Sequence, residues 1–580
     1  MSEPQGNYRP KVMVIGVDGA TFDLIKPWAE QGRLPNFKSL LDSGIHGELR
    51  STVPPVTAPA WTSFMTGKNP GKHGLFHFIE PQPGSYEIRY TNARSRLAKT
   101  IWQILGESGL RVGVVNVPMT YPPEPVNGFM ISGMDAPEGS TAITYPTELY
   151  QEIKEKFGKV SPQVRYLGYL NTNARRDDVL RSLETMDEHY LALTTYLLGR
   201  SPVDVMMVVF TSVDTVQHFF WQYMDRQHPQ YDAVGAAKYQ DAIFRVHKRI
   251  DDIIGTLRDS LPEETSFVLM SDHGFAASSA RVIHLNGYLH ELGLLKLHQS
   301  KSSGYHPGRL FDFAVRKLDA LVRGTLTSEQ KARLGHWFPR LRRRWESRLS
   351  GLTKIAWRDT KAFAYEVLTF PSGIWVNLKG TRPYGTVSPG LEYERLVKFI
   401  ADKLSELKDP VTGTKLIKQV YRKEEIYHGP YLDHAPDLTL AWWEGTPLLG
   451  KASFTESVDG DVVKYLGDRP IQAGEWAGVH SNKGILVLAG KAFREKASLE
   501  GAEITDLAPT LLYLLGFALP ADMDGRVLSE AFTAEFASTH DVLRHGVADD
   551  ELSLNVTDST YSEEESEKVM QRLRGLGYIE

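Results

Sequence analysis

Short, continuous apolar runs recur along the chain, and longer amphipathic stretches separate them. Continuous runs bounded by turn residues are typical of parallel strands covered on both faces, and the stretches between them suit crossover helices. The clearest helical period covers residues 236–258, where apolar positions lie three and four apart. We therefore predict an α/β fold with a mostly parallel central sheet flanked by helices. The runs are VMVIGV (12–17), VGVVNV (112–117), DVMMVVF (204–210), SFVLM (266–270) and GILVLAG (484–490).

Acidic and histidine side chains follow three of these predicted strands. Asp18 comes directly after the first run, and Asp214 lies four residues past the run at 204–210. Asp272 and His273 come two and three residues after the run at 266–270. Ligand sites of such sheets lie beyond the carboxyl ends of the strands. We therefore expect these side chains to meet at one edge of the sheet.

Two segments interrupt this alternation of strands and helices. Residues 296–355 are locally basic, and we predict an inserted helical cap between two parts of an α/β core, 1–295 and 356–535. Residues 536–580 are acidic and predict a C-terminal tail with a short helix. The cap has three interpretations: a cover that attracts an anionic substrate, a contact with a membrane surface, or a solvated helix face, which we favour.

The composition narrows the classes of function. A chain of 580 residues with 42% hydrophobic and 24% charged residues is typical of a soluble globular protein. The net charge of −5 gives no reason to expect binding to a nucleic-acid polymer. The first apolar run, 12–17, is far shorter than the ~20 residues that span a bilayer. We expect a cytoplasmic protein with neither signal peptide nor transmembrane segment.

A threonine precedes a predicted helix that starts at Pro59 and ends before Gly67. Thr57 would then lie next to the free N–H groups and the positive dipole end of this helix, which favour an anion. A threonine there can accept a phosphoryl group if a nearby cation helps to remove the hydroxyl proton. The alternative is that Thr57 is only a helix N-cap.

Any metal site must use oxygen and imidazole ligands, because the chain contains no cysteine. Asp214 and His218 lie four residues apart, which places both on one face of a helical turn. Asp272 and His273 are adjacent, and His480 lies in the segment GVHSNKG. Taken singly, each is as well explained as a turn residue, a cap or a surface pair. Together they favour a site for two divalent ions, with zinc or manganese suited to such ligands.

These segments, in this order, resemble the alkaline phosphatase superfamily, and most closely its type I phosphodiesterase/nucleotide pyrophosphatase branch. The resemblance runs from about residue 10 to about residue 530, with a poorly matching middle. The matching stretches are VMVIGVDG, VPPVTAPAWTSFMTGKNPGKHGLF, SVDTVQH, VLMSDHGF, GVHSNKGILVLAG and ITDLAPTLLYLLGFALPADMDGRVL.

The resemblance implies a metal-dependent phosphohydrolase, and within that class it favours a phosphodiesterase or pyrophosphatase of small organic phosphates. Thr57 would attack phosphorus and form a phosphothreonine. Zinc is the usual metal of this branch, and manganese serves relatives. The ligands implied for one ion are Asp214, His218 and His480, and those for the other are Asp18, Thr57, Asp272 and His273.

The substrate is less well defined by the sequence. Nucleotide pyrophosphatases of this branch carry asparagine three residues after the nucleophile, whereas this chain has Ala60. This departure argues against nucleotide-type substrate placement. A phosphomonoesterase, a phosphonate monoester hydrolase and a catalytically silent binding protein stay as alternatives to the diesterase. Sulfatases need a Cys or Ser at the nucleophile position, which argues against sulfate esters. The candidate substrate contacts are Asn92, Arg94, Lys68 and Phe219.

Overall fold

A computed structural model describes most of the chain. The described residues are 10–160, 170, 172–298, 354–365, 373–441, 449–450, 462–465, 471, 476–545 and 561–576. Nearly all of the predicted cap at 296–355, including the basic run at 340–344, lies outside the described residues, and the division of the chain into core, cap and tail stays a prediction.

The strands in the described residues are numbered in chain order. They are β1 Val12–Val17, β2 Gly44–Arg50, β3 Ile79–Pro81, β4 Ile88–Tyr90, β5 Val112–Val115, β6 Gly128–Ile131, β7 Thr144–Tyr145, β8 Val205–Phe210, β9 Ser266–Met270, β10 Gly274–Ala277, β11 Arg281–Ile283, β12 Ala362–Phe363, β13 Gly373–Val376, β14 Val420–Arg422, β15 Leu438–Leu440, β16 Leu449–Gly450, β17 Val463–Tyr465, β18 Gly478–Ser481, β19 Lys483–Ala489, β20 Ala497–Ser498, β21 Ala502–Glu503, β22 Leu519–Pro520 and β23 Arg544–His545.

The α-helices of the same residues are numbered in the same way. They are α1 Phe22–Glu30, α2 Pro35–Ser43, α3 Thr57–Thr66, α4 Pro70–His73, α5 Ile101–Glu107, α6 Leu149–Phe157, α7 Asn173–Arg200, α8 Ser212–Met224, α9 Ala233–Tyr239, α10 Ala242–Asp259, α11 Leu285–Glu291, α12 Leu391–Ser405, α13 Lys423–Ile426, α14 Leu507–Leu514, α15 Ala534–Thr539 and α16 Glu563–Leu576.

The predicted α/β class is confirmed by a ten-stranded central sheet. Its order is β20-β2-β19-β9-β1-β8-β5-β6-β7, with β21 also paired to β2. The strands β9, β1, β8, β5 and β6 are mutually parallel. Every residue of β1, β8 and β9 is buried, as continuous apolar runs require when helices cover both faces of a sheet.

Two details differ from the sequence prediction. The run GILVLAG forms β19, which is antiparallel to both β9 and β2, because an apolar run predicts burial but not the direction of the chain. The helical period at 236–258 is divided between α9 and α10, since Gln240 and Asp241 form a turn. The apolar face of α10 still packs into the core through Ile243, Val246 and Ile250.

A second, smaller pairing completes the edge where the carboxyl ends of the parallel strands lie. Strand β10 follows β9 after a short turn and pairs antiparallel with β18, which places Phe275 opposite His480. This pairing brings a segment from late in the chain next to the turn that contains Asp272 and His273. In the described part of the chain, no helix is long and apolar enough to cross a membrane.

Candidate active site

The Asp and His residues that the sequence analysis identified as candidate ligands lie together at one edge of the central sheet. Asp18 directly follows β1, and Asp272 and His273 lie in the turn between β9 and β10. Asp214 and His218 lie on one face of α8, which begins just after β8. His480 lies on β18. All six side chains and Thr57 are at most 5% exposed, so water is nearly excluded from the cluster.

Thr57 is the first residue of α3 rather than the residue ahead of it. The prediction that the helix begins at Pro59 is wrong by two residues, and Val56 is the N-cap. Gly67 ends the helix in the left-handed conformation (φ 67°), as expected for a C-terminal cap. The Thr57 hydroxyl lies 3.3 Å from Nε2 of His273, so the candidate nucleophile belongs to the cluster of Asp and His residues.

One half of the cluster consists of Asp214, His218 and His480. Oδ1 of Asp214 lies 3.2 Å from Nε2 of His218 and 3.2 Å from Nε2 of His480. The two Nε2 atoms are themselves 3.0 Å apart. These three atoms therefore surround a single small space.

The other half consists of Asp18, Asp272 and His273. Nε2 of His273 lies 3.5 Å from Oδ1 of Asp18 and 3.3 Å from Oδ2 of Asp272. The two halves are in contact, because the rings of His273 and His480 stack with centroids 3.5 Å apart. His273 also lies 4.0 Å from Oδ1 of Asp214, so it can contribute to either half.

All three imidazoles form a hydrogen bond from Nδ1 to a backbone carbonyl oxygen. Nδ1 of His218 lies 2.9 Å from the carbonyl oxygen of Gly478, and Nδ1 of His273 lies 3.1 Å from that of Gly274. Nδ1 of His480 lies 2.8 Å from the carbonyl oxygen of Pro55. A carbonyl oxygen only accepts hydrogen bonds, so each Nδ1 carries the proton. In a neutral ring, Nε2 then presents a lone pair to the centre of the cluster.

Burial acts on the ionisation of these groups. It lowers the pKa of His218 and, with the neighbouring His480, lowers the pKa of His273 well below its ordinary value, which keeps both rings neutral. Burial raises the pKa of Asp272 to about 7, and burial together with Asp272 and Asp214 raises that of Asp18 well above its ordinary range. Burial opposes ionisation of Asp214 too, but protonated His218 and His480 rings would outweigh it and lower its pKa.

The arrangement fits divalent cations. One oxygen of each carboxylate, Oδ1 of Asp18, Oδ1 of Asp214 and Oδ2 of Asp272, is buried and accepts no well-aligned hydrogen bond. Converging carboxylate oxygens and imidazole lone pairs in a site without water repel one another unless positive charge lies between them. Two groups have ligand atoms within 4.8 Å of one another: Asp214 with His273 and His480, and Asp18 with Asp272 and His273.

The four candidate substrate contacts differ in burial and in their partners. Lys68 is buried and forms an ion pair with Asp522. Asn92 is buried and caps the turn Ala93–Ser95, in which Arg94 is exposed. Phe219 is buried in the core, with its ring 6.3 Å from that of His218. Their assignment as substrate contacts stays a prediction.

One further residue of the site was missed by sequence reasoning. Trp61 donates a hydrogen bond from Nε1 to Oδ2 of Asp18 at 3.3 Å. Its position four residues after Thr57, on the same helical face, is the signal that was available. His77 is also buried, and burial, with a smaller effect of His480, lowers its pKa to about 4. Nothing in the local sequence distinguishes His77 from a core histidine.

Comparison with known proteins identifies the family to which the chain is similar. The family described as type I phosphodiesterase/nucleotide pyrophosphatase matches residues 12–462, most of the chain. This stretch contains Thr57 and five of the six Asp and His residues, while His480 lies beyond it. No curated protein matches the chain by sequence.

Solved structures resemble the chain in fold. Phosphonoacetate hydrolase from Sinorhizobium meliloti 1021, in complex with phosphonoacetate, is 14% identical with a TM-score of 0.50, covering 86% of this chain and 94% of its own. Human ectonucleotide pyrophosphatase/phosphodiesterase 5 is 15% identical with a TM-score of 0.45, covering 88% of this chain and 95% of its own. At these identities the likeness concerns the fold alone.

We predict that His480→Ala lowers zinc binding, since this ring closes the half of the cluster around Asp214. Loss of a ligand should reduce the affinity for one ion at least about 10-fold. Metal per chain, measured by elemental analysis after dialysis, checks this. His228→Ala is the matched control, because His228 is also buried and its Nε2 lies 2.9 Å from the carbonyl oxygen of Ala477. Equal losses in both variants would contradict the assignment of His480.

The raised pKa of Asp272 predicts a pH dependence of stability in the metal-free protein. Its pKa of about 7 in the fold exceeds the ordinary 3.8, so the folded state binds more protons between these values. The free energy of unfolding in chelator should then fall as the pH rises from about 4 to about 7. Urea unfolding across this range should show a flatter profile for Asp272→Asn. Identical profiles would show that Asp272 does not carry the effect.

Proposed function

The chain belongs to the type I phosphodiesterase/nucleotide pyrophosphatase family of phosphoric ester hydrolases, and we propose that it cleaves a phosphodiester or pyrophosphate bond of a small organic phosphate through a phosphothreonine at Thr57. We further propose that two divalent ions, zinc in preference to manganese, bind the adjoining Asp and His residues. A catalytically silent binding protein is disfavoured, because binding alone gives no reason for a buried threonine hydroxyl beside this cluster.

The convergence of lone pairs carries the proposal. Nε2 of His218, Nε2 of His480 and Oδ1 of Asp214 lie within 3.2 Å of one another. Protonating a ring would relieve the repulsion, but burial lowers the pKa of His218 and works against that solution. A divalent cation relieves it with no proton, and the six side chains present the number and type of ligand atoms that a two-ion site uses.

We assign the ligands by their positions in the two halves. Asp214, His218 and His480 would hold one ion, and Asp18, Asp272, His273 and the oxygen of Thr57 would hold the other. When bound, such ions supply Lewis-acid stabilisation of phosphoryl and leaving-group oxygens and lower the pKa of a hydroxyl or water. Three imidazoles among the seven proposed ligands favour zinc or manganese over magnesium, which prefers oxygen.

Thr57 has the geometry of a nucleophile. Its Oγ1 lies within the cluster, and its place in the first turn of α3 puts an attached phosphoryl group near the positive end of the helix dipole. In the first step Oγ1 loses its proton and bonds to phosphorus, while the bond from phosphorus to the leaving oxygen breaks and that oxygen takes up a proton. In the second step water attacks phosphorus and gives up a proton, the bond to Oγ1 breaks, and Oγ1 takes up a proton to regenerate Thr57.

We predict that Thr57→Ala lowers kcat by about 1,000-fold or more, because no other hydroxyl replaces the nucleophile. The bound metal should stay close to the wild-type amount, since six other ligands are retained. Thr62→Ala is the matched control: Thr62 is buried on the same helix, and its hydroxyl donates to the Ala58 carbonyl oxygen at 2.7 Å. Wild-type turnover in Thr57→Ala would place the nucleophile elsewhere.

We also predict that the enzyme prefers diesters. The measurement compares a bis-aryl phosphate, an aryl monophosphate, an aryl phosphonate monoester and a dinucleotide, each with zinc and with manganese. The bis-aryl phosphate should give the highest kcat/KM, and zinc the higher rate. A higher kcat/KM for the monophosphate or the phosphonate monoester would assign the corresponding alternative. No hydrolysis of any substrate at full metal loading would reject the proposed function.

A further inference from the structure

The indole of Trp61 lies between the nucleophile helix and a candidate metal ligand. Trp61 is fully buried, and its Nε1 donates a hydrogen bond to Oδ2 of Asp18 at 3.3 Å. It lies one helical turn after Thr57 on α3. The same side chain therefore connects the helix that presents the hydroxyl to the carboxylate that follows β1.

The space for this indole is made by a glycine. A Cβ at Gly16 would lie 2.4 Å from Cη2 of Trp61 and 2.9 Å from Cγ2 of Val209. Any side chain larger than hydrogen would displace the indole or the neighbouring strand. Gly16 lies in β1, two residues before Asp18, so the ring packs on the strand whose end carries the carboxylate.

An indole N–H suits this position chemically. It donates one hydrogen bond and accepts none, so it orients the carboxylate without competing for a cation. By holding Oδ2, it leaves Oδ1 of Asp18 turned toward His273, at 3.5 Å from Nε2. That Oδ1 is the buried oxygen that accepts no well-aligned hydrogen bond. The hydrogen bond from Trp61 to Oδ2 thus determines that Oδ1 is the oxygen that faces the candidate ion.

Other residues of the segment 55–61 also contact the cluster of Asp and His residues. The Pro55 carbonyl oxygen accepts from Nδ1 of His480 at 2.8 Å, and the Thr57 hydroxyl lies 3.3 Å from His273. With Trp61 on Asp18, residues 55–61 contact three different candidate ligands. A displacement of Trp61 would therefore move Asp18 relative to both Thr57 and His273.

We propose that Trp61, seated on Gly16, is a positioning residue that fixes Asp18 for the ion shared with Asp272 and His273 and sets its distance from the Thr57 hydroxyl. The inference rests on the proposed function, because it concerns the same ions. The competing explanation is that Trp61 only fills the core, where its N–H is incidental.

The test removes the N–H donor and keeps an aromatic ring. Trp61→Phe is compared with Trp102→Phe, a matched control in which another fully buried indole donates from Nε1 to a carboxylate, that of Glu124. Affinities for the two ions are measured by zinc titration against a chromophoric chelator, and the ligand field by the absorption of the cobalt-substituted protein. We expect a 10- to 100-fold loss of affinity for one ion and a shifted cobalt spectrum in Trp61→Phe alone.

A second pair of variants keeps the indole and disturbs its seat. Gly16→Ala places a methyl group against Trp61, whereas Gly113→Ala places one in β5 at 2.5 Å from Cζ of Phe129 and 2.6 Å from Sδ of Met206. Both alter a strand of the same sheet, so their general cost in stability is comparable. We expect Gly16→Ala to lower the affinity for one ion, as Trp61→Phe does, and Gly113→Ala to bind both ions with wild-type affinity. If Trp61→Phe does not fold, the comparison of Gly16→Ala with Gly113→Ala tests the positioning role.

The outcomes separate this inference from the proposed function. Wild-type affinities and cobalt spectrum in Trp61→Phe, or an equal loss in Trp102→Phe, would overturn the positioning role while the wild type still binds two ions and hydrolyses esters. A wild type that binds no metal and hydrolyses nothing would instead reject the function itself. Selective loss in Trp61→Phe and Gly16→Ala supports the role, with the fall in kcat exceeding the rise in KM at saturating zinc.

Discussion

The main physical constraint on this structure is the repulsion among the six Asp and His side chains of the site, which share a buried space. Three imidazoles turn Nε2 toward that space because their Nδ1 atoms hold the carbonyl oxygens of Pro55, Gly274 and Gly478. Three carboxylates add an oxygen each. Burial, with a further contribution from Asp214, raises the pKa of Asp272 and so opposes the charged form of this carboxylate. A cation bound there, as proposed, would turn the repulsion among these side chains into attraction.

A cluster of this kind needs a rigid frame. The fully buried strands β1, β8 and β9 supply it, because each is paired on both sides within the central sheet. The side chains then come from short segments that start at strand ends, which leaves little freedom for them to move apart. The pairing of β10 with β18 adds His480, a candidate ligand that does not follow a strand of the parallel set. The burial free energy of the sheet thus outweighs the repulsion at its edge.

Much of this was predictable, and the exceptions have physical reasons. Buried strands produce continuous apolar runs, and the parallel topology brings Asp18 and Asp272 to one edge, so both were found from the pattern. The antiparallel direction of β19 was not, because burial does not depend on direction. His480 was found through an ordered resemblance, since no local pattern predicts the pairing of β10 with β18. Lys68 has a cationic side chain in a polar segment, but the structure pairs it with Asp522, which is more than 400 residues away in the chain.

The segment 55–61 contacts candidate ligands that come from distant parts of the chain and also carries the candidate nucleophile. Pro55, Thr57 and Trp61 contact His480, His273 and Asp18, which belong to three different parts of the sequence. A short helix start is stiff, since its backbone is fixed by hydrogen bonds from its first turn onward. Ligands held by one stiff segment keep their spacing relative to a hydroxyl on that segment, even when the strands that carry them shift slightly. The seven residues 55–61 therefore orient both Thr57 and the candidate ligands.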